Sequence, residues 1–232
     1  MSCARVESSM RLRDFDAIIF DNDGVLVDSE IIHLDVERKL LAQMGLEYDL
    51  KDYLTRFVGL SNRDFYAELR ADHARIVGGE LPSDFGETLQ EKIWERVKAE
   101  LLPISGVPSL IEAFGGKVAV GSSAPYERLI KKLKIAGLFH LLAPHIYSAD
   151  HVENGKPAPD LFLHAARQIE VSPETCVVIE DSVNGVRAAK AAGMTTIGFT
   201  GGGHCDPGLH QRLKASGADA VVSNHAMLKS MI

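Results

Sequence analysis

The stretch FDNDGVLVDSE, residues 20–30, decides how the chain is read. It closes the apolar run Ala17–Phe20 with two aspartates, Asp21 and Asp23, and Gly24 follows at once. Burying an unpaired carboxylate is costly, so two of them at the lip of a buried strand need something to offset them. Side chains at i and i+2 of a strand point the same way, about 6–7 Å apart, a gap that accepts a tetrahedral phosphoryl group. One carboxylate can attack phosphorus to form an acyl phosphate. The other can protonate the leaving oxygen and later activate water. Gly24 lets the chain turn away sharply.

Working outward, short apolar runs recur at residues 117–121, 146–148, 176–179, 195–199 and 220–222. They are nearly continuous in apolar residues, as strands covered on both faces should be. Helix-period segments separate them. Residues 125–136 place Leu129 and Leu133 on one face, and 159–169 place Phe162, Ala165, Ala166 and Ile169 on another. Residues 182–192 start at a capping Ser182 and stop at Gly193. Strand and helix in alternation predict an α/β fold with a parallel sheet.

Residues 29–101 break that rhythm. Ile32, Val36, Leu40 and Met44 recur at four-residue spacing, as do Leu89, Ile93, Val97 and Leu101. This predicts a helical insertion after the first strand. The expected organisation is a loose tail over 1–13, a catalytic core from 14–28 and 102–232, and a helical cap over 29–101.

In open α/β sheets, ligands bind at the carboxyl ends of the strands. Ser122 and Ser123 follow one strand there, and Glu180 and Asp181 follow another. Lys156 lies in a loop after a third, restrained by Pro157 and Pro159. A hydroxyl and a backbone N–H at a strand-to-helix turn bind phosphate oxygens, and an ammonium adds positive charge against the transferring group. Asp21 and Asp181, with Glu180 beside them, make a hard-oxygen site suited to Mg2+. A cation there makes the paired acids tolerable.

The chain of 232 residues carries a net charge of -7, so a nucleic-acid partner is not expected. No apolar stretch approaches the roughly 20 residues that span a bilayer. Three cysteines, Cys3, Cys176 and Cys205, show no metal-type spacing and fit a reducing cytoplasm. Arg128, Lys131, Lys132 and Lys134 read as a solvated helix face. GFTGGGHCDPG, residues 198–208, lacks a dinucleotide fingerprint and reads as a surface loop. The spacing of His204, Cys205 and His210 fits no standard zinc site.

FDNDGVLVDSE, the serine pair, GKPAPDLF and VIEDSVNGVRAAKAAGM, in this order, resemble the haloacid dehalogenase-like hydrolase superfamily over essentially the whole chain after the tail. The insertion resembles the cap of the subgroup with phosphoglycolate phosphatase-like and β-phosphoglucomutase-like members. The resemblance implies a Rossmann-like core, Asp21 as nucleophile and Asp23 as acid/base. It implies Ser122 as a phosphate ligand and Lys156 as the group stabilising a phospho-aspartate. Its metal ligands would be Asp21, the backbone carbonyl of Asp23 and Asp181, with Glu180 close by. Dehalogenases of the superfamily lack the second aspartate and need no metal, so Asp23 and the acidic pair point to phosphoryl chemistry.

The expectation is a cytoplasmic, Mg2+-dependent phosphatase, a monomer or weak homodimer, acting on a small phosphorylated metabolite of the sugar-phosphate kind. Gly24 and Ser123 are expected beside the substrate, and His33 and Arg63, with Arg56, are the cap candidates. Two alternatives stay open. His33 falls where the mutase subgroup carries a cap histidine, whereas Asn62 stands where those mutases have a phosphate-gripping arginine. A receiver-type signalling domain would share the aspartate, serine and lysine, but is about half this length and lacks a helical insertion.

Overall fold

The computed structural model describes residues 10–57, 60 and 62–232. The chain divides into two compact units, one running to Glu30 and resuming at Leu101–Ile232, the other Ile31–Glu100.

The first unit is built on six strands: β1 (Ala17–Phe20), β2 (Lys117–Ser122), β3 (Ile146–Ser148), β4 (Cys176–Glu180), β5 (Thr195–Phe199) and β6 (Ala220–Val222). They form one sheet in the order β3-β2-β1-β4-β5-β6, every pair parallel. β1 lies between β2 and β4, with Ile18 in register with Val118 and Val177. The three strands that end at Phe20, Ser122 and Glu180 are therefore neighbours, and their carboxyl ends form one rim.

Both faces of the sheet are covered. Ala17, Ile19, Ala119 and Val178 pack on one side against Leu161, Phe162, Ala165, Ala188 and Ala189. Ile18 and Phe20, on the opposite face, are equally buried. This is why β1 is apolar throughout rather than alternating. The fold is a Rossmann-like parallel α/β sheet.

Four helices lie in or run through the second unit: α1 (Ser29–Gln43), α2 (Leu50–Arg56), α3 (Asn62–Ile76) and α4 (Phe85–Glu100). Leu89, Ile93 and Val97 bury one stripe of α4, as their spacing predicts. On α1, Leu41 is buried beside Leu40, and Met44 falls just beyond the helix. No strand occurs among the described residues of Ile31–Glu100.

The remaining helices belong to the first unit: α5 (Val107–Ala113), α6 (Tyr126–Ile135), α7 (Phe139–Leu142), α8 (Asp160–Gln168), α9 (Val183–Ala191), α10 (Leu209–Ala215) and α11 (His225–Lys229). The chain leaves and re-enters this unit at one place. Val27 bridges Pro103 antiparallel, and Ile104 N–H donates to Leu26 O at 2.9 Å.

The expected tail over 1–13 is corrected at its inner end. Leu12 is fully buried in the one-turn 3-10 segment Leu12–Asp14, and its N–H donates to Met231 O at 2.7 Å. An apolar side chain with a core slot to fill ties this stretch down. Residues 1–9 lie outside the described residues.

Candidate active site

Asp21 sits one residue beyond β1, and its N–H donates to Ile179 O at 3.0 Å, extending the β1–β4 ladder to the rim. The next residues fold back on themselves. Asn22 O accepts from the N–H groups of Leu26 and Val27 at 2.9 and 3.1 Å. Gly24, at φ +79°, turns this corner, and a Cβ there would lie 1.8 Å from Asp181 Oδ2. Only glycine allows both that backbone and that approach.

Lys156 reaches the rim from the loop before α8. Its Nζ donates to Asp21 Oδ1 and Glu180 Oε1, each at 2.6 Å, and lies 4.9 Å from the centre of the Phe162 ring. Burial opposes its charge, but the carboxylates of Asp21 and Glu180 raise its pKa above the ordinary lysine value. The nucleophile candidate thus has a fixed ammonium at its oxygen.

Both oxygens of Glu180 have protein partners. One oxygen accepts from Lys156, and the other accepts from Ser182 N–H at 2.7 Å and Ser182 Oγ at 2.9 Å. Ser182 Oγ in turn accepts from Gly185 N–H at 3.0 Å and caps α9. Glu180 holds the lysine and the helix start. Asp181, the next residue, faces the Gly24 corner instead, because successive side chains leave an extended backbone on opposite sides.

Burial pushes the Asp21 carboxyl up to about 7, opposed chiefly by Lys156. Burial, and then Glu180 and Asp21, hold Asp181 well above the usual carboxylate range. His204 Nε2 lies 3.3 Å from Asp181 Oδ2, and burial lowers the imidazole pKa. The glycine-rich loop carrying it is tied back: Gly203 N–H donates to both oxygens of Asp28 at 3.0 and 3.1 Å. The stretch, expected as a surface loop or as a substrate-adjacent one, packs its histidine against Asp181.

Ser122 is buried at the end of β2, its Oγ accepting from Ala124 N–H at 3.1 Å. Ser148 Oγ donates to Ala124 O at 2.7 Å and fixes the same turn from β3. Ser123 is exposed. A buried hydroxyl in a pinned strand-to-helix turn is the arrangement a phosphate oxygen requires.

Lys132 corrects the expectation of a solvated basic face. Its side chain is 8% exposed, with Nζ 2.5 Å from Asp23 Oδ1 and 3.4 Å from Ser29 Oγ. Ser29, fully buried, donates to the same Asp23 oxygen. The signal was present in the sequence: Lys132 follows Leu129 by three residues and so shares its buried face.

Four carboxylates (Asp21, Asp23, Glu180, Asp181) meet two ammoniums (Lys132, Lys156) at this rim. Two negative charges remain when all are ionised, and burial is the main reason the carboxyls of Asp21 and Asp181 are raised. No three His, Cys, Asp or Glu side chains form a metal cage among the described residues. Two carboxylates with a backbone carbonyl, completed by water and phosphate oxygens, still fit Mg2+, which is usually held by only one or two carboxylates.

The other candidates lie in the helical unit. His33 is half-buried on α1 and Arg63 is exposed at the start of α3. Arg56 is committed within its own unit: its Nη2 lies 2.8 Å from Asp72 and 3.3 Å from Glu68. The side chain of Asn62 lies outside the described residues.

The model of the haloacid dehalogenase-like hydrolases matches residues 15–193. The chain belongs to this family. Fructose-1-phosphate phosphatase YqaB of Escherichia coli is 33% identical over 188 residues, covering 79% of this chain and 95% of that one. β-Phosphoglucomutase of Bacillus subtilis is 29% identical over 192 residues, covering 78% and 82%. Protein SUPPRESSOR OF QUENCHING 1, chloroplastic, of Arabidopsis thaliana is 36% identical over 189 residues, covering 78% of this chain but only 17% of its own length. Among solved structures, a family hydrolase from Deinococcus radiodurans with bound phosphate and sodium superposes with a TM-score of 0.82 at 36% identity, covering 95% and 98%.

Proposed function

We propose that this family member is a Mg2+-dependent phosphatase acting on a small phosphorylated metabolite, of the sugar-phosphate class, through a phospho-aspartate on Asp21. The observation that carries the reading is the meeting of Asp21, Lys156 and the pinned Ser122 turn at the ends of three adjacent strands. The phosphatase activity named for the Escherichia coli relative, which this chain covers almost completely, supports the same class.

Asp21 presents a carboxylate oxygen to phosphorus while Lys156 draws charge from the transferring group. Ser122 and the following backbone N–H groups hold the phosphoryl oxygens. Asp23 gives its proton to the leaving alcohol oxygen, so that neutral alcohol departs and the phosphoryl group rests on Asp21. The same carboxylate then takes a proton from water, whose oxygen attacks phosphorus and releases inorganic phosphate and free Asp21. Asp21, the Asp23 carbonyl and Asp181 would hold Mg2+, which when bound supplies positive charge against the transferring phosphoryl group.

Asp21→Asn is expected to abolish phosphate release from p-nitrophenyl phosphate and from a panel of sugar phosphates, and chelation of Mg2+ to do the same. Substantial turnover by that variant would overturn the nucleophile assignment. The likeness to a β-phosphoglucomutase supports a second reading as a sugar-phosphate mutase. Incubation with a β-sugar 1-phosphate separates the two, since isomerisation without phosphate release marks the mutase.

A further inference from the structure

We propose that Lys132 is a positioning residue for proton transfer: with Ser29 it holds Asp23 in place to protonate the leaving group. The proposal rests on the phosphatase reading above and deepens it. Of the four basic residues read together on this segment, Arg128, Lys131 and Lys134 are exposed. Lys131 makes only a surface pair with Glu127 at 3.6 Å, and Lys134 lies over the Phe139 ring. Lys132 turns inward from α6, between the buried Leu129 and Leu133, and brings its ammonium to Asp23.

A buried ammonium needs a close, well-placed acceptor, and here it takes Asp23 Oδ1, which leaves Oδ2 to carry the proton that is transferred. The constraint falls on the Asp23 side chain, the less buried of the two at 20% exposure. Ser29 adds a second donor to the same Oδ1 from the first turn of α1. The oxygen's position is thus fixed from two directions, by elements about a hundred residues apart in sequence. Lys156 does the corresponding work for Asp21, so the two aspartates of the opening motif each have their own lysine.

Proton donation matters in proportion to how poor the leaving group is. Nitrophenolate departs readily without a proton, whereas less acidic phenols and alcohols do not. Loss of Asp23 positioning should therefore be graded by leaving group, whereas loss of general structure should not be.

The test is a series of aryl phosphates from p-nitrophenyl to phenyl to p-methoxyphenyl, with kcat/KM measured for wild type and Lys132→Met. The variant's loss in kcat/KM is expected to be at least about tenfold greater on p-methoxyphenyl phosphate than on p-nitrophenyl phosphate, within the usual contribution of general acid catalysis. Lys132→Arg should restore part of the loss on the poor leaving groups. If Lys132→Met melts below assay temperature, Lys132→Gln carries the same comparison. An equal loss across the series, or no loss, overturns the positioning role while leaving the phosphatase reading intact. Wild-type protein that releases phosphate from no member of the series ends both.

Discussion

Glu180 and Asp181 are adjacent acids with separate tasks. Glu180 is fully engaged by Lys156 and Ser182, whereas Asp181 faces the Gly24 corner and His204. Their removal should have different signatures. Glu180→Ala leaves a buried ammonium half-partnered and is expected to destabilise the fold by about 3–5 kcal/mol, while Mg2+ still raises the melting temperature. Asp181→Ala is expected to abolish the Mg2+-induced shift with little change in the metal-free melting temperature. Thermal melts with and without Mg2+ decide between them, and a loss of the Mg2+ shift in Glu180→Ala would make that residue a ligand as well. The sequence left the two acids grouped because residue type alone does not say which way a carboxylate points. The alternation of an extended backbone did, since successive side chains at the end of β4 leave on opposite sides.

At the scale of elements, α9 shows how a local rule can invert. Glycine inside a helix normally gains stability on replacement by alanine, by about 0.5–1 kcal/mol. Gly185 lies in the first turn of α9, where a Cβ would sit 1.7 Å from Glu180 Oε1. Gly185→Ala is therefore expected to push Glu180 off Lys156, lowering both stability and kcat while helix content by circular dichroism stays unchanged. A more stable, fully active variant would refute this account of the helix start.

The elements that form the rim were legible in the sequence because their strands are continuous apolar runs and their helices carry caps and clear stripes. The short helices α5, α7, α10 and α11 were not, since one or two turns show too little periodicity to distinguish from a loop. Lys132 was obscured by its lysine neighbours: composition indicated a wet face, and only the phase set by Leu129 and Leu133 pointed inward. His204 was hidden because nothing local reveals that Asp28, 175 residues away, holds its loop.

For the whole molecule, the buried carboxyls link folding, metal and pH. Asp21 is raised to about 7 by burial, and Asp181 is raised as well. A carboxyl raised on folding favours the folded state below its ordinary value and loses that contribution as pH climbs through the raised one. The metal-free protein is thus expected to lose stability between about pH 4 and 7 from Asp21, with Asp181 adding a loss of the same sign as pH rises. On the proposed ligand set, bound Mg2+ displaces their protons, so its affinity is expected to rise with pH over the same range. Melting in chelator and in Mg2+ across this range checks both slopes, and an Mg2+ shift independent of pH would contradict the link.

The helical unit departs after Glu30 and returns at Leu101, and the core pairs the two stumps itself through Val27–Pro103 and Leu26–Ile104. The first unit thus closes its own circuit where the insertion departs. A graft of another family member's helices between those stumps would meet ends already held together, at little extra entropy of closure. On the proposed function, such a graft is expected to change which sugar phosphates are hydrolysed while leaving Asp21-dependent phosphate release in place.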